Sequence, residues 1–399
     1  MKSSDLMQSF KRRGANNYHP LPIVLSRGEG ATVWDVEGKS YLDFLSCYSA
    51  LNFGHQHPKI IQALRTQLEK LAICSRAFHS EALCLFAEKI TAVCGFDKVL
   101  AMNTGTEAVE TAIKLARKWG YLKKMVPSDQ ANIIVMENNF HGRTVTVVSF
   151  SSEPLYRKDF GPFTPGFSSV PFGDISRLEA SITDHTVAVL LEPIQAEAGI
   201  LLPPTGYLKK VRELCQKKNV LMILDEIQTG MARTGSNFCY ELHDAKPDVL
   251  ILGKSLGGGV LALSAVLAST DVMDVIEPGE HGSTFGGNPL ASAVGVEALS
   301  VMVADKMAEK ASQIGKVSMQ ALRAKPLPGV REIRGSGALI GIELEPQLGG
   351  ARRYCERLAA NGVLCKETHE HVIRIAPPLM ISTQELERGL DQILEVLNS

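Results

Sequence analysis

The strongest constraint on this chain is a pair of apolar runs between Val220 and Gly259, each closing on a charged side chain. The first, VLMILDEIQTG, reaches Asp225 and Glu226. The second, DVLILGKSLGGG, reaches Lys254. Uninterrupted runs of Val, Ile and Leu at strand length suit strands buried on both faces, as in a parallel sheet covered by helices. Ligands of such sheets bind beyond the carboxyl ends of the strands. Asp225 and Lys254 are therefore expected on one rim, facing one ligand.

A lysine at the edge of an apolar strand is partly desolvated, which favours the neutral, nucleophilic amine and suits Schiff-base chemistry. Pyridoxal phosphate needs such a lysine, together with a carboxylate that keeps its ring nitrogen protonated. A phosphate-binding P-loop is the rival reading of GKS. It fails because Asp248 stands where that motif requires glycine, and strand residues precede Gly253. Taken alone, either residue is more often a surface lysine or an acidic helix cap.

The rest of the chain extends the pattern. From about residue 97, the segments DKVLAM, NIIVME, TVAVLLEP, VLMILDE and DVLILGK alternate with helical stretches such as NTGTEAVETAIKLARKWGY and YLKKVRELCQKK. Repeated β-α-β units predict an α/β fold with a mostly parallel sheet and helices on both faces. ATVWDVEGKSYLDF reads as two short strands around a turn at Glu37–Gly38, and Pro58 opens an amphipathic helix. After Asn288, one long helical stretch runs to Ala324, followed by strands near VREIRGSG, ALIGIEL and VIRIAPP and helices around 352–360 and 384–397. The expected division is an N-terminal segment 1–45, a large domain 46–288 and a smaller α+β domain 289–399 that packs with the N-terminal strands.

With 399 residues, 45% hydrophobic and 21% charged, the chain can bury a sizeable core. A net charge of −1 argues against nucleic-acid partners. Eight cysteines without a CxxC pair fit a reducing compartment. No run reaches the roughly 18 apolar residues of a membrane span, and MKSSDLMQSFKRRG lacks the apolar region of a secretory signal. A cytoplasmic protein is expected. His55/His57 and His369/His371 lack a third ligand at recognisable spacing, so caps or packing are preferred over metal.

Several segments offer further site residues. In NTGTEA, Gly105 allows close backbone approach, Thr106 supplies a hydroxyl, and the helix N-terminus presents free N–H groups, a ready anion site. Thr104 and Glu107 also fit a capping box, which is compatible with anion binding. In ENNFHGRT, Phe140 can stack on a flat ring and Arg143 can pair with a carboxylate. LEPIQAEAG brings Glu192 and Glu197, and GEHGSTFGGNP offers Ser283 and Thr284 as phosphate donors. VIRIAPP places Arg374 in an apolar strand, where an unpaired charge is costly and the usual partner is a carboxylate, of the protein or of a substrate.

In this order GTEA, FHGRT, LDEIQTGMARTG, LILGKS and STFGGNP resemble the class III pyridoxal-phosphate aminotransferases, over nearly the whole chain. NYHPLP, SRAF, KLARKWGY, FGPFTPGF, GYLKKVRELC and IRIAPPL are similar to the ornithine δ-aminotransferase branch of that class. The resemblance implies a fold-type I transferase with a seven-stranded large-domain sheet, acting on L-ornithine and 2-oxoglutarate or glutamate. It also implies that Lys254 carries the cofactor and shuttles protons, Asp225 binds the pyridine nitrogen, and Gln228 lies near the ring oxygen. Phe140 would cover the ring, and Gly105 and Thr106 would hold the phosphate. Ser283 and Thr284 would complete the phosphate site, Thr284 reaching across from a second subunit of an obligate homodimer or of a higher oligomer built from it. Tyr18 and Arg143 would hold the α-carboxylate of ornithine, and Tyr48 would favour ornithine over other amines. Arg374 would bind 2-oxoglutarate or glutamate, neutralised by Glu197 while ornithine is bound.

Two residues depart from the resemblance. His141 stands where animal ornithine enzymes carry Trp, and QAEAG replaces QGEAG beside Glu197. A Trp lost near the substrate would admit a bulkier amine, so an N-acetylornithine or other ω-amine aminotransferase is the alternative. A catalytically silent cofactor-binding protein is a third reading, disfavoured by the joint presence of Lys254, Asp225 and Arg374.

Overall fold

The computed structural model describes residues 2–399. Near the N-terminus β1 (Leu25–Glu29), β2 (Thr32–Asp35) and β3 (Ser40–Asp43) form an antiparallel ribbon. Its second turn is set by Asp35, whose Oδ1 accepts the Glu37 and Lys39 amides at 2.9 Å each. That turn lies where the sequence puts it.

The centre is a seven-stranded sheet: β4 (Lys98–Met102), β5 (Asn132–Met136), β6 (Phe167–Val170), β7 (Thr186–Leu191), β8 (Leu221–Asp225), β9 (Val249–Leu252) and β10 (Ser264–Ala268). The spatial order is β4-β10-β9-β8-β7-β5-β6. Neighbours from β6 to β9 are parallel, while β10 runs antiparallel to both β9 and β4. Strands β7 to β10 are buried along their whole length. Side chains alternate between faces with period 2. Ile133, Val135, Ile223 and Ile251 therefore pack with Val109 and Ile113 of helix Gly105–Leu122 on one face. Ile134, Val189, Met222 and Leu250 pack with Leu208 and Val211 of helix Tyr207–Lys218 on the other. Each such fully buried aliphatic side chain contributes roughly 1.5–3 kcal/mol relative to exposure.

The C-terminal part adds β11 (Val330–Ser336), β12 (Leu339–Leu344), β13 (Val363–Leu364), β14 (Lys366–Thr368) and β15 (Val372–Ile375). Four of these form the sheet β11-β12-β15-β14, while β13 pairs in parallel with β3 and joins the two ends of the chain.

The long helical stretch after Asn288 is in fact two helices, Pro289–Ala304 and Met307–Leu322. The break falls at Asp305, which Lys59 holds at 2.9 Å, and at Lys306, in the left-handed region with φ 52°. The first helix packs on Pro58–Leu68 and Glu81–Cys94, the second on β11 and the C-terminal helix Thr383–Asn398. A straight helix could not reach both surroundings.

One loop ties the parts together. Arg233 is fully buried, and its Nε and Nη2 donate to Asn52 Oδ1 at 3.0 and 2.6 Å. Its Nη1 donates to the carbonyls of Ala338 and Pro377. Burial pulls its pKa down to about 9, with Asp43 opposing only in part.

Candidate active site

The chain segments leaving β5, β7, β8 and β9 meet the N-terminus of helix Gly105–Leu122 at one edge of the sheet. Together they line a cavity with Gly105, Thr106, Phe140, His141, Glu192, Asp225, Gln228 and Lys254. The helix start is fixed by the capping box: Thr104 Oγ1 accepts the Glu107 amide, and Glu107 Oε2 accepts the Thr104 amide. Glycine is required at two points of the wall. A Cβ on Gly105 would lie 2.9 Å from Ile227 Cδ1, and one on Gly142, whose φ is +123°, would overlap the Thr106 side chain.

Lys254 opens a short 3-10 turn at φ +46°, a sparsely populated region for a non-glycine residue. Burial lowers its pKa, opposed by the charges of Glu197 and Asp225. The next residue anchors the turn: Ser255 Oγ donates to the Ser49 carbonyl at 2.6 Å and accepts the Asn52 amide at 3.0 Å. Ser49 closes a stretch, Ser46 to Ser49, in which all four residues have positive φ. That strained turn presents Tyr48. Strain of about 1–3 kcal/mol per residue persists only where surrounding contacts impose it.

Asp225 is 5% exposed. Its Oδ1 accepts the Ile227 amide at 3.0 Å, and its Oδ2 accepts from His141 Nδ1 at 2.7 Å. Burial pushes the His141 pKa down, but the hydrogen bond and charge of Asp225, with the charge of Glu192, outweigh it and the net shift is upward. His141 is buried and its Nε2 has no partner. Its side chain thus backs the Asp225 carboxylate, so the consequence of its replacing Trp is carried through Asp225. Glu192 accepts the Phe140 amide at 2.9 Å and is pushed up by burial to about 8, with His141 opposing.

A second cluster handles carboxylates. Arg374, in the middle of β15, is 1% exposed. Its Nη1 and Nη2 contact Glu197 Oε1 and Oε2, each at 2.9 Å, in a bidentate pair. Nη1 also donates to Gln228 Oε1, and Nη2 to Thr368 Oγ1. Gln228 returns its Nε2 to Glu197 Oε1 at 3.2 Å, so its amide links the cavity to this pair. Burial raises the Glu197 carboxyl, but Arg374 overcomes that and brings it down to about 2. The Arg374 guanidinium lies 5.2 Å from the Tyr48 ring centre. Burial and the Glu197 charge push the Tyr48 phenol up to about 12, with a smaller effect of nearby Tyr18.

Arg143 contrasts with this cluster. It is exposed and, among the described residues, makes no ion pair; its guanidinium lies 4.1 Å from the Tyr156 ring centre and 5.8 Å from that of Phe140. Tyr18 is 69% exposed. Ser283 and Thr284 do not line this chain's own cavity: Ser283 Oγ accepts from Asn103 Nδ2 at 2.8 Å, and Thr284 is exposed beside the exposed Phe285. Of the histidine pairs, His55 bonds Asp43 at 2.9 Å and His57 precedes Pro58 at a helix start.

Sequence reasoning passed over the Asp225–His141 bond, Ser255, Thr368 and Tyr156. Only His141, two residues before the carboxylate-type Arg143, carried a signal, and pairing across 84 residues has no local pattern.

The donors fit pyridoxal phosphate. A helix N-terminus walled by glycines suits its phosphate, a desolvated lysine suits its aldehyde, and a buried, hydrogen-bonded aspartate suits its ring nitrogen. Residues 13–397 match the Aminotransferase class-III family, and the chain belongs to it. It is 52% identical over 397 residues to the ornithine aminotransferase of Brevibacillus brevis, covering 100% of this chain and 99% of that one. The ornithine aminotransferase of Toxoplasma gondii, described with partial occupancy of the cofactor at its active site, superposes with a TM-score of 0.98 at 43% identity, over 99% of this chain and 94% of that one. The acetylornithine aminotransferase of Elizabethkingia anophelis superposes at 0.90 with 45% identity, over 100% and 99%.

Proposed function

We propose that this class-III aminotransferase moves the δ-amino group of L-ornithine to 2-oxoglutarate. The products are glutamate and glutamate 5-semialdehyde, which cyclises to pyrroline-5-carboxylate. Bound pyridoxal phosphate supplies the aldehyde that takes up and returns the amino group, and a ring that withdraws electrons. Lys254 holds the cofactor and moves protons at the carbon that bears the migrating amine. Asp225, fixed by His141 and the Ile227 amide, would pair its carboxylate with the ring nitrogen. Gly105, Thr106 and the helix N-terminus bind the phosphate, with Ser283 as a further donor and Thr284 completing the site from the partner of a homodimer. Phe140 covers the ring.

The observation that carries the reading is the Arg374–Glu197 pair beside Tyr48. Ornithine has two amines, and only the distal one is to reach the aldehyde. Tyr18 and Arg143 clamp the α-carboxylate at a distance, so the carbon chain presents the δ-amine. A bare Arg374 would draw the same carboxylate inward and deliver the α-amine. Glu197 blocks that attraction, and the α-carboxylate of 2-oxoglutarate displaces Glu197 in the second half-reaction. Breaking a buried pair costs about 3–5 kcal/mol unless a new partner replaces the lost one, which the incoming carboxylate does.

The division into segments 1–45, 46–288 and 289–399 accompanies this reading, with helix Pro289–Ala304 bridging the large and small parts. No helix among the described residues is long and apolar enough to cross a membrane; a cytoplasmic location is proposed from composition.

The second reading, N-acetylornithine as donor, is favoured by the similarity to the Elizabethkingia anophelis enzyme. A spectroscopic titration of the holoenzyme with ornithine, N-acetylornithine, lysine and 4-aminobutyrate separates the two. Ornithine is expected to bleach the cofactor band at the lowest concentration, with 2-oxoglutarate restoring it. Preferential bleaching by N-acetylornithine overturns the assignment. Lys254→Ala is expected to abolish turnover.

A further inference from the structure

Tyr156 has no part in the resemblance and sits on a four-residue helix, Pro154–Arg157. The helix is held at both ends: Glu153 Oε1 accepts the Leu155 amide at 3.1 Å, and Arg157 Nη1 donates to the Ser151 carbonyl at 3.2 Å. The phenol ring meets the Phe140 ring edge to face, with centroids 6.0 Å apart at 74°. Its own face carries the Arg143 guanidinium at 4.1 Å. Phe140, Tyr156 and Glu197 also line a second cavity, with Asn138, Glu153 and His369. This cavity adjoins the cofactor cavity through their common residue Phe140. Burial pushes the Tyr156 phenol up, with the charges of Arg143 and Arg374 opposing and that of Glu197 adding to it.

We propose that Tyr156 is a specificity-determining residue: with Phe140 it forms an aromatic shelf that holds Arg143 over the second cavity, donors free for the α-carboxylate of the amino donor, and apart from Arg374. An arginine stacked on a ring loses little of its hydrogen-bonding capacity, because the ring takes the guanidinium face and leaves the edge N–H groups. A carboxylate on an adjacent protein residue would occupy those groups, and among the described residues Arg143 makes no ion pair. The shelf thus does for the donor site, without charge, what Glu197 does for Arg374 with charge. It also fixes the distance between the carboxylate and the reacting amine, because Phe140 lines the cofactor cavity itself. The shelf rests on the reading of Arg143 as the donor clamp.

The test compares Tyr156→Phe and Tyr156→Leu in the holoenzyme, with ornithine, 1,4-diaminobutane and glutamate as amino donors. Tyr156→Leu removes the ring, and the KM for ornithine is expected to rise about tenfold while kcat changes by less than about twofold, as for a lost cation–π contact that acts on binding. Kinetics with 1,4-diaminobutane, which has no carboxylate, and with glutamate are expected to stay at the wild-type values. Tyr156→Phe keeps the ring and is expected to restore ornithine kinetics. An unchanged ornithine KM in Tyr156→Leu, or a matching rise for glutamate and 1,4-diaminobutane, overturns the proposal, as does a Phe variant as impaired as Leu. Should Tyr156→Leu fail to fold, Tyr156→Met removes the ring with a larger flexible side chain and is read in the same way against Phe. If wild-type enzyme prefers N-acetylornithine, the donor assignment fails, but that donor keeps the α-carboxylate and the same ratio to 1,4-diaminobutane still decides the role of Tyr156.

Discussion

Arg374 and Arg143 are two solutions to one problem, the recognition of a carboxylate. Arg374 is buried in a strand, and Glu197, Gln228, Thr368 and the Ala196 carbonyl take up its donors. Arg143 lies in the open, lodged on two aromatic rings with its edge unclaimed. The first can act only when its protein partner is displaced, so it distinguishes the two halves of a reaction. The second is always ready and distinguishes one molecule from another by length.

The comparison is broken most severely at Arg374. Arg374→Ala leaves the half-buried Glu197 carboxylate without its partner, a loss of at most about 3–5 kcal/mol. The glutamate half-reaction is expected to fall by at least about a hundredfold in kcat/KM, measured in single turnover, with ornithine much less affected. Equal losses for both substrates would mean that Arg374 does not separate them.

Glu197 gives the next largest effect, and it has a pH signature. Its carboxyl is held at about 2, below the ordinary carboxylate value. A lowered native pKa stabilises the fold above the unfolded value near 4.3, and this stability is lost as pH falls from there towards 2. The contribution is on the order of 3 kcal/mol. In acid unfolding followed by circular dichroism, Glu197→Gln is expected to show a shallower loss of stability over that window than wild type. The same variant is expected to accelerate reaction with glutamate and to let ornithine react at its α-amine, detectable as 5-amino-2-oxopentanoate. Unaltered half-reaction rates with both substrates would remove the gating role.

Arg143 is the mildest case, since its donors face solvent when empty. Arg143→Ala is expected to raise the ornithine KM by about ten- to thirtyfold, the value of a charged hydrogen bond, without altering glutamate kinetics. A loss on the glutamate side of similar size would dissolve the contrast between the two arginines.

The difference between these arginines also marks what the residues disclose in order. Arg374 announced itself, because a lone charge in VIRIAPP demands a partner, and the family resemblance supplied Glu197. The strands β7 to β9 were legible for the same reason: six or so aliphatic residues without a polar break fit only a covered sheet. The antiparallel β10 was not, since SAVLA carries no mark of direction. The division of helix Pro289–Ala304 from Met307–Leu322 was hidden because the left-handed residue is a lysine, not a glycine. The turn at Tyr48 was likewise unreadable, as Ser255 imposes it from far along the chain through the Ser49 carbonyl and the Asn52 amide. Tyr156 escaped notice because a stacked ring on a single turn of helix has no periodicity.

Arg233 bears on how the polypeptide comes into being. Its guanidinium contacts carbonyls at Ala338 and Pro377, residues made more than a hundred positions after it during synthesis. Until those carbonyls emerge, this charge has only Asn52 to satisfy it, and the loop cannot close over it. A chain truncated before Ala338 would therefore keep this guanidinium without two of its native acceptors, a defect that reaches the large sheet although the lost residues lie outside it.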